Sequence, residues 1–171
     1  DVGNLTLDVD IDGHSYTGLL KTEGLNLRKI LDNSDFGNLI TNIKLRGQRN
    51  GTSITSIAAN GKIDLLEYKK YPYQNITIDG SYSKKNIEGL LKVYDPNVSL
   101  EASGSVDISK KQKKVNITAY LNKLKPKSIM LSDKWGDAMV TGNIIADFNG
   151  SDINNANGQV IISNVAVKSE T

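Results

Sequence analysis

The segment Leu5-Thr6-Leu7-Asp8-Val9-Asp10-Ile11-Asp12-Gly13 decides the fold, because apolar and polar residues alternate along it and it ends on Asp-Gly. Alternation with a period of two places the apolar side chains on one face of a β-strand and the polar ones on the other. Asp-Gly favours a tight turn, since glycine accepts the positive φ that hairpin turns need. The segment therefore predicts a strand with one apolar face, followed by a reverse turn.

The same pattern recurs along almost the whole chain and indicates about ten strands. Short connections between such runs favour antiparallel neighbours. The sequence thus predicts an all-β fold built as an antiparallel meander. The predicted turns are Asp12-Gly13, Asn50-Gly51, Asn60-Gly61, Lys84-Lys85-Asn86, Asp95-Pro96-Asn97 and the lysine-rich stretch 110–114.

Two places do not fit the strand pattern. In the stretch 25–31, Leu27, Ile30 and Leu31 have the i, i+3, i+4 spacing of a short helix. Around Pro126 the missing backbone N–H argues against a central strand, so we expect a loop or a sheet edge there. We therefore expect one or two short helical turns in an otherwise β-rich chain.

Length and composition limit the possible functions. The 171 residues suit one domain spanning 1–171, and both ends fall close to strand patterns, so we expect an internal fragment of a longer protein. The absence of cysteine excludes disulfides and thiolate metal sites. A net charge of +2, from 21 basic and 19 acidic residues, gives no reason to expect nucleic acid as a partner.

Motifs for catalysis or metal binding are weak. Asp8, Asp10 and Asp12 match the first ligand positions of a calcium loop, but Leu19 stands where the bidentate glutamate belongs. The acidic run is better explained as the polar face of a strand. His14 is the single histidine and has no second histidine to complete a site. We expect no enzyme activity, no metal and no cofactor.

Two surface features allow a binding function. Lysine clusters at 69–70, 84–85, 110–114 and 123–127 could attract anionic headgroups or polysaccharide, although lysines on turns are usually only solvated. Five tyrosines could stack on sugars or lie at a membrane interface, although tyrosine also commonly flanks strands. These tyrosines are Tyr68, Tyr71, Tyr73, Tyr82 and Tyr94.

The apolar stripe is the strongest functional signal. An antiparallel sheet covers its apolar face by folding onto a second layer, by closing into a barrel or by holding an apolar ligand. Two sheets could interdigitate into a dry core, whereas a gap between them would accept acyl chains. The side chains predicted to line this face are Leu5, Leu7, Val9, Ile43, Leu45, Ile76, Ile78, Leu91, Val93, Val98, Leu100, Val106, Ile108, Val115, Ile117, Ile144, Phe148, Val160 and Ile162.

Several ordered segments resemble the carboxy-terminal region of bacterial TamB proteins, members of the AsmA-like superfamily. The most specific are Tyr73-Gln74-Asn75-Ile76-Thr77-Ile78-Asp79-Gly80 and the later Asp95-Pro96-Asn97. The stretches 25–31, 36–47, 60–64, 87–97, 104–108 and 142–164 add to the resemblance, which spans about residues 25 to 165.

The resemblance implies a β-taco, in which an elongated antiparallel meander is folded into a half-open sandwich or groove with an aliphatic interior. It also implies a periplasmic segment of a Gram-negative protein anchored in the inner membrane, acting in outer-membrane biogenesis. Expected partners are phospholipid acyl chains and an outer-membrane barrel protein of the assembly machinery, with membrane contact only through parts outside this fragment. Two alternatives stay open: a closed sandwich that binds outer-membrane protein strands by β-augmentation, and a glycan-binding or hydrolytic sandwich that uses the tyrosines and acids.

Overall fold

A computed structural model describes residues 2–109, 112–150 and 155–169. The described residues form ten β-strands, one short α-helix and one 3₁₀ turn. The strands are β1 (Asn4–Asp12), β2 (Ser15–Asn26), β3 (Phe36–Asn50), β4 (Ser53–Tyr68), β5 (Tyr71–Ser83), β6 (Asn86–Tyr94), β7 (Val98–Asp107), β8 (Lys113–Leu124), β9 (Ala138–Gly150) and β10 (Asn157–Ser169). The helix α1 is Leu27–Leu31, and the 3₁₀ turn is Asp133–Trp135.

All ten strands belong to one antiparallel sheet whose spatial order is the chain order, β1 to β10. Each strand pairs with the one before it and the one after it, so β1 and β10 are the two edges. The described residues thus form one open sheet rather than two stacked ones. The predicted all-β meander is confirmed, and its open form, the groove, is the one that fits.

The helix prediction around Leu27 is also confirmed. The Asn26 side chain accepts a hydrogen bond from the Lys29 N–H at 3.2 Å, which caps the first turn of α1. Asp32 then adopts a left-handed conformation with φ 48° and ends the helix. Ile30 and Leu31 remain exposed, so the helix is held by its caps and its contact with β3 rather than by a buried apolar side.

Most of the predicted turns are confirmed. Two of the tight turns between strands have lysine at positions of positive φ, which is unusual. Lys69-Lys70 and Lys84-Lys85 form two-residue connections in which both lysines have positive φ. This conformation suits Asn-Gly better than lysine. In the stretch 110–114, Lys110 and Lys111 lie outside the described residues, whereas β8 already begins at Lys113.

The turn predicted at Asn60-Gly61 is wrong, because β4 runs straight through it. Gly61 lies opposite Ile43 of β3 and Ile78 of β5, and a Cβ there would collide with the Asn42 carbonyl oxygen. Glycine is needed at this position for close backbone approach rather than for reversal of the chain.

The segment 125–137 between β8 and β9 packs on one end of the sheet, as expected of a loop around Pro126. Pro126 is buried, and Ile129 is only 5% exposed. Ile129 joins a buried cluster with Tyr71, Ile76 and Val93, while the Lys125 N–H donates to the Asn97 carbonyl at 2.9 Å. This loop is therefore the element that converts part of the sheet face into a core.

Candidate functional site: the apolar face of the sheet

The strand register places most of the chain's aliphatic side chains on one face of the sheet, which we call the apolar face. Directly paired residues of antiparallel strands point to the same side, so a continuous row of pairs defines a face. Four such rows cross the sheet without a register shift between β1 and β10, except that the first reaches only β9. They start at Leu5, Leu7, Val9 and Ile11.

The row from Leu7 illustrates the arrangement. It continues through Leu20, Ile43, Gly61, Ile78, Leu91, Ala102, Ala119, Ile144 and Ile162. At the usual strand spacing, ten strands extend for about 43 Å. The β-bulges lie outside these four rows, so none of them turns an aliphatic side chain away from the face.

All but two of the residues predicted to line the groove lie in these four rows. Val98 precedes Leu100 by two positions on β7, whereas Ile108 lies beyond the end of β7, where no strand pairing assigns it to a face. The contact of the predicted lining residues with lipid stays a prediction.

The apolar face is covered in some places, among them Thr22 and Thr41, and open on the edge strands. In the covered region, at one end of β5–β7, Ile76 and Val93 are 6% and 7% exposed beneath the loop that carries Ile129. In the open regions, on the edge strands, Val160 and Ile162 are 60% and 62% exposed. Exposed apolar patches larger than a few hundred Å² mark interaction sites in most soluble proteins. The open regions have the character of such a site.

A row of small residues leaves a depression in the middle of the apolar face. Ala59, Gly80, Gly89 and Gly104 are paired in succession across β4–β7. A depression of about 400 Å³ lies here, lined mostly by residues of the apolar face. Those lining residues are Ala59, Ile78, Gly80, Ile87, Gly89, Leu91, Ala102, Gly104 and Ile117. The result is an apolar trough bounded by aliphatic side chains.

Two buried threonines interrupt the aliphatic row that starts at Leu5. The Thr22 hydroxyl donates to the Leu39 carbonyl at 2.9 Å and accepts from the Thr41 N–H at 3.1 Å. The Thr41 hydroxyl donates to the Lys62 carbonyl at 2.7 Å. Because both hydroxyls are satisfied by backbone groups close to the bulges, they do not make the face polar.

A buried carboxylate clamps the end of the covered region. Asp95 is 4% exposed and accepts hydrogen bonds from the Tyr71 hydroxyl, the Gln74 N–H at 3.1 Å and the Asn97 N–H at 2.8 Å. Burial, together with the hydrogen bond to Asp95, raises the pKa of Tyr71 to about 12. The predicted Asp95-Pro96-Asn97 turn is thus tied to the start of β5.

The opposite face of the sheet carries most of the charged side chains of the strands, and it also carries Leu19, Leu90, Ile145 and Ile161 in one of its rows. Lys92 forms an ion pair with Glu101 at 3.1 Å, and the Tyr94 hydroxyl donates to the same carboxylate at 2.7 Å. The hydrogen bonds from Tyr94 and Lys92 lower the pKa of Glu101. A second depression, of about 420 Å³, lies near Lys44 and Arg46 on this side. The two faces therefore differ sharply in chemistry.

The other predicted features stay separate from the apolar face. Asp8, Asp10 and Asp12 are exposed on the polar face of β1, and His14 lies in the following turn. Among the described residues, no group of three histidine, cysteine or acidic side chains is placed to hold a metal ion.

The tyrosines of the middle third mostly pack against protein. Tyr71 and Tyr73 meet edge to face with ring centroids 4.7 Å apart, and Tyr68 packs on Phe36 at 5.0 Å. Tyr82 lies in the row of the apolar face that starts at Ile11, whereas Tyr94 is exposed. No continuous aromatic platform of the kind that stacks on sugars is formed by these five residues.

Sequence reasoning missed several members of the apolar face. Leu20 was overlooked because Leu19 beside it breaks the alternation, and Ile129 lies far along the chain from the strands it covers. Ile11 belongs to the alternating segment at the start of the chain but was left out of the predicted lining, and Ile87 could have been found by extending the alternation of β6. The pairing that brings the small residues into one row has no signal in a single sequence.

Comparison of the chain with protein-family models, with curated proteins and with solved structures finds no match. The fold and its apolar face therefore define the class: an open, single-layer antiparallel β-sheet with one aliphatic face. Within the described part of the chain, no helix has the length and apolar character needed to cross a membrane.

Proposed function

We propose that this chain shields lipid acyl chains on the apolar face of its sheet. The single observation that carries the proposal is an aliphatic face ten strands wide that is left largely open at both edges. In water a sixteen-carbon acyl chain costs about 12 kcal/mol of unfavourable transfer free energy. Aliphatic contacts would offset that cost and, being non-directional, would let the chain slide.

The trough of small residues supports an extended ligand. A Cβ added at Gly89 would lie 3.6 Å from the Asp79 carbonyl oxygen, which is an ordinary contact. Glycine is therefore not required there by the backbone, and its effect is to leave space above the sheet. A linear hydrocarbon fits such a space better than a bulky polar ligand does.

The setting we propose follows the resemblance to TamB. The chain acts in the periplasm of a Gram-negative bacterium, as part of a longer protein anchored in the inner membrane. It supports outer-membrane biogenesis by moving phospholipid between the two membranes, by assisting assembly of outer-membrane proteins, or by both. The support for this setting is the order of the segments around Tyr73–Gly80 and Asp95–Asn97.

The test is native mass spectrometry of the chain purified gently from a bacterial periplasm, with lipid extraction of the same sample. Ile117→Asp and Thr118→Asp form a matched pair, because these neighbours on β8 lie on the apolar and polar faces respectively. We expect phospholipid at a defined stoichiometry in the wild type and in Thr118→Asp, and its loss in Ile117→Asp. Equal lipid occupancy in both variants would contradict the proposal.

A second variant separates binding from folding. Gly89→Ile fills the trough with hydrocarbon, whereas Ser103→Ile adds the same side chain to the polar face of the neighbouring strand. Both should fold, and we expect only Gly89→Ile to reduce lipid occupancy. The readout is again the lipid-bound fraction, normalised to protein that gives the wild-type circular dichroism spectrum.

A second candidate function is strand addition, which the unpaired outer sides of β1 and β10 favour. An extended segment of an unfolded outer-membrane protein would pair with one of these edges. Amide hydrogen exchange should then slow in β1 or β10 when a peptide from a barrel strand is added, while β5 is unchanged. No protection at either edge would remove this candidate.

A further inference from the structure

The two ends of the sheet carry very different connections. In a meander, the connections after β2, β4, β6 and β8 share one end, which we call the loop end: 27–35, 69–70, 95–97 and 125–137. The opposite, hairpin end carries the other connections. The described residues of those connections present no exposed large apolar side chain.

The loop end exposes large apolar side chains on both of its longer connections. Met130, Leu131 and Trp135 on the 125–137 loop are 55%, 62% and 51% exposed. Ile30 and Leu31 on α1 are also more than half exposed. Connections of water-soluble proteins seldom carry so many exposed large apolar side chains together.

The loop that carries Met130 and Leu131 is fixed to the sheet by a buried residue and held in shape by its own backbone hydrogen bonds. Ile129 is buried in the core, and the Leu131 N–H donates to the Pro126 carbonyl at 2.9 Å. The Met130 N–H donates to the Lys127 carbonyl at 3.0 Å, with Met130 at a positive φ of 58°. Because Ile129 points in while Met130 and Leu131 stay exposed, the loop offers its apolar tip without unfolding.

The loop end is basic on balance. Its four connections carry seven basic and five acidic residues, and one of the acids, Asp95, is buried. Hydrogen bonds join the connections in pairs: the Lys69 N–H donates to the Asp35 carbonyl at 2.6 Å, and the Lys125 N–H donates to the Asn97 carbonyl at 2.9 Å. Asp133 and Asp137 also lie here, and Asp137 pairs with Lys127 at 3.1 Å.

We propose that the loop end docks on the surface of an anionic lipid bilayer, with Met130, Leu131 and Trp135 entering the interface and the lysines facing the headgroups. Apolar side chains with a tryptophan beside lysines are the combination that interfacial anchors use. The inference stands independently of lipid shielding on the apolar face. It assigns a bilayer contact to the chain itself, where the sequence led us to expect contact only through segments outside it.

Trp135 is the only tryptophan of the chain, so its fluorescence reports on this loop alone. On addition of phosphatidylcholine vesicles that contain phosphatidylglycerol, we expect its emission to shift to the blue and to be quenched by brominated acyl chains. Pure phosphatidylcholine vesicles, or added salt, should weaken the response because the headgroup attraction is electrostatic. Unchanged emission with the anionic vesicles would overturn the proposal.

Variants locate the contact. The double variant Met130→Ser, Leu131→Ser should bind the anionic vesicles about tenfold or more weakly in a flotation assay. Ile54→Ser, an exposed position of β4 near the hairpin end, is the matched control and should bind like the wild type. Equal binding by both variants would overturn the proposal.

Different variants test the docking proposal and the shielding proposal, so that either can be contradicted without the other. Ile117→Asp should float with anionic vesicles like the wild type, because it leaves the loop end intact. The double loop variant should keep the phospholipid that co-purifies with the chain. If Ile117→Asp also lost vesicle binding, the bilayer contact would lie on the apolar face and not on the loop end.

Discussion

The covered and open regions of the apolar face are built from the same alternation of residues, but they differ in what lies above them and in their distance from a sheet edge. Val93 and Val160 both point to this face, yet Val93 is buried beneath the segment containing Ile129 and Val160 is more than half exposed. A pattern of period two therefore determines which side of a strand is apolar. Whether that side becomes core or stays exposed depends on a loop distant in sequence.

The largest expected effect on stability comes from a charge introduced into the covered region, compared with the same charge in the open region. Val93→Asp should lower the free energy of unfolding by more than about 3 kcal/mol, because it buries an unpaired carboxylate. Val160→Asp should change it by less than about 1 kcal/mol, since the carboxylate stays in water. Urea unfolding followed by circular dichroism measures both, and similar losses would mean that the open region is covered in solution.

Removing the cover itself should have the next largest effect. Ile129→Ala should lower the free energy of unfolding by about 2–4 kcal/mol, through lost burial and the cavity left behind. Met130→Ala, at the adjacent exposed position, should stay within about 0.5 kcal/mol of the wild type. A small effect of Ile129→Ala in the same urea experiment would show that the loop does not cover the face.

The buried clamp should add a smaller, pH-dependent contribution. Tyr71→Phe leaves Asp95 with one fewer hydrogen-bond donor. The substitution should lower the free energy of unfolding by about 1–3 kcal/mol. Because the folded-state pKa of Tyr71 is raised from 10.0 to about 12, the neutral phenol stabilises the fold below pH 10, and this contribution is lost as the pH rises through about 12.

Alkaline titration tests that assignment. The wild type should lose stability between pH 10 and 12, and Tyr71→Phe should lose less over the same interval. Tyr82→Phe serves as the control, because Tyr82 lies outside the clamp. Identical pH profiles for the wild type and Tyr71→Phe would exclude the clamp as the source.

The smallest expected effect concerns the hairpin end. Replacing Lys84-Lys85 with Asn-Gly should raise the free energy of unfolding by about 1 kcal/mol, because both positions have positive φ. The thermal unfolding midpoint is the readout. A decrease would show that these lysines contribute contacts that outweigh their backbone strain.

Much of the fold could be predicted from the sequence because strand alternation and turn residues are local. The runs around Leu7, Ile78 and Ile117 gave the correct face for each strand, and antiparallel order followed from the short connections. The turn predicted at Asn60-Gly61 was wrong because Asn-Gly occurs both in turns and at positions where two backbones lie close together. The cover by Ile129, the Asp95 clamp and the row of small residues depend on contacts between distant segments, which a single sequence does not encode in any local pattern.

The central claim is that lipid lies on one face of the sheet, and two neighbouring isoleucines test it most directly. Ile161 and Ile162 on β10 are both exposed, on the polar and apolar faces respectively. A photo-crosslinking phenylalanine analogue placed at either position, in protein purified gently from a bacterial periplasm, should form phospholipid adducts at 162 and few at 161. Adducts of equal yield at the two positions would contradict the account.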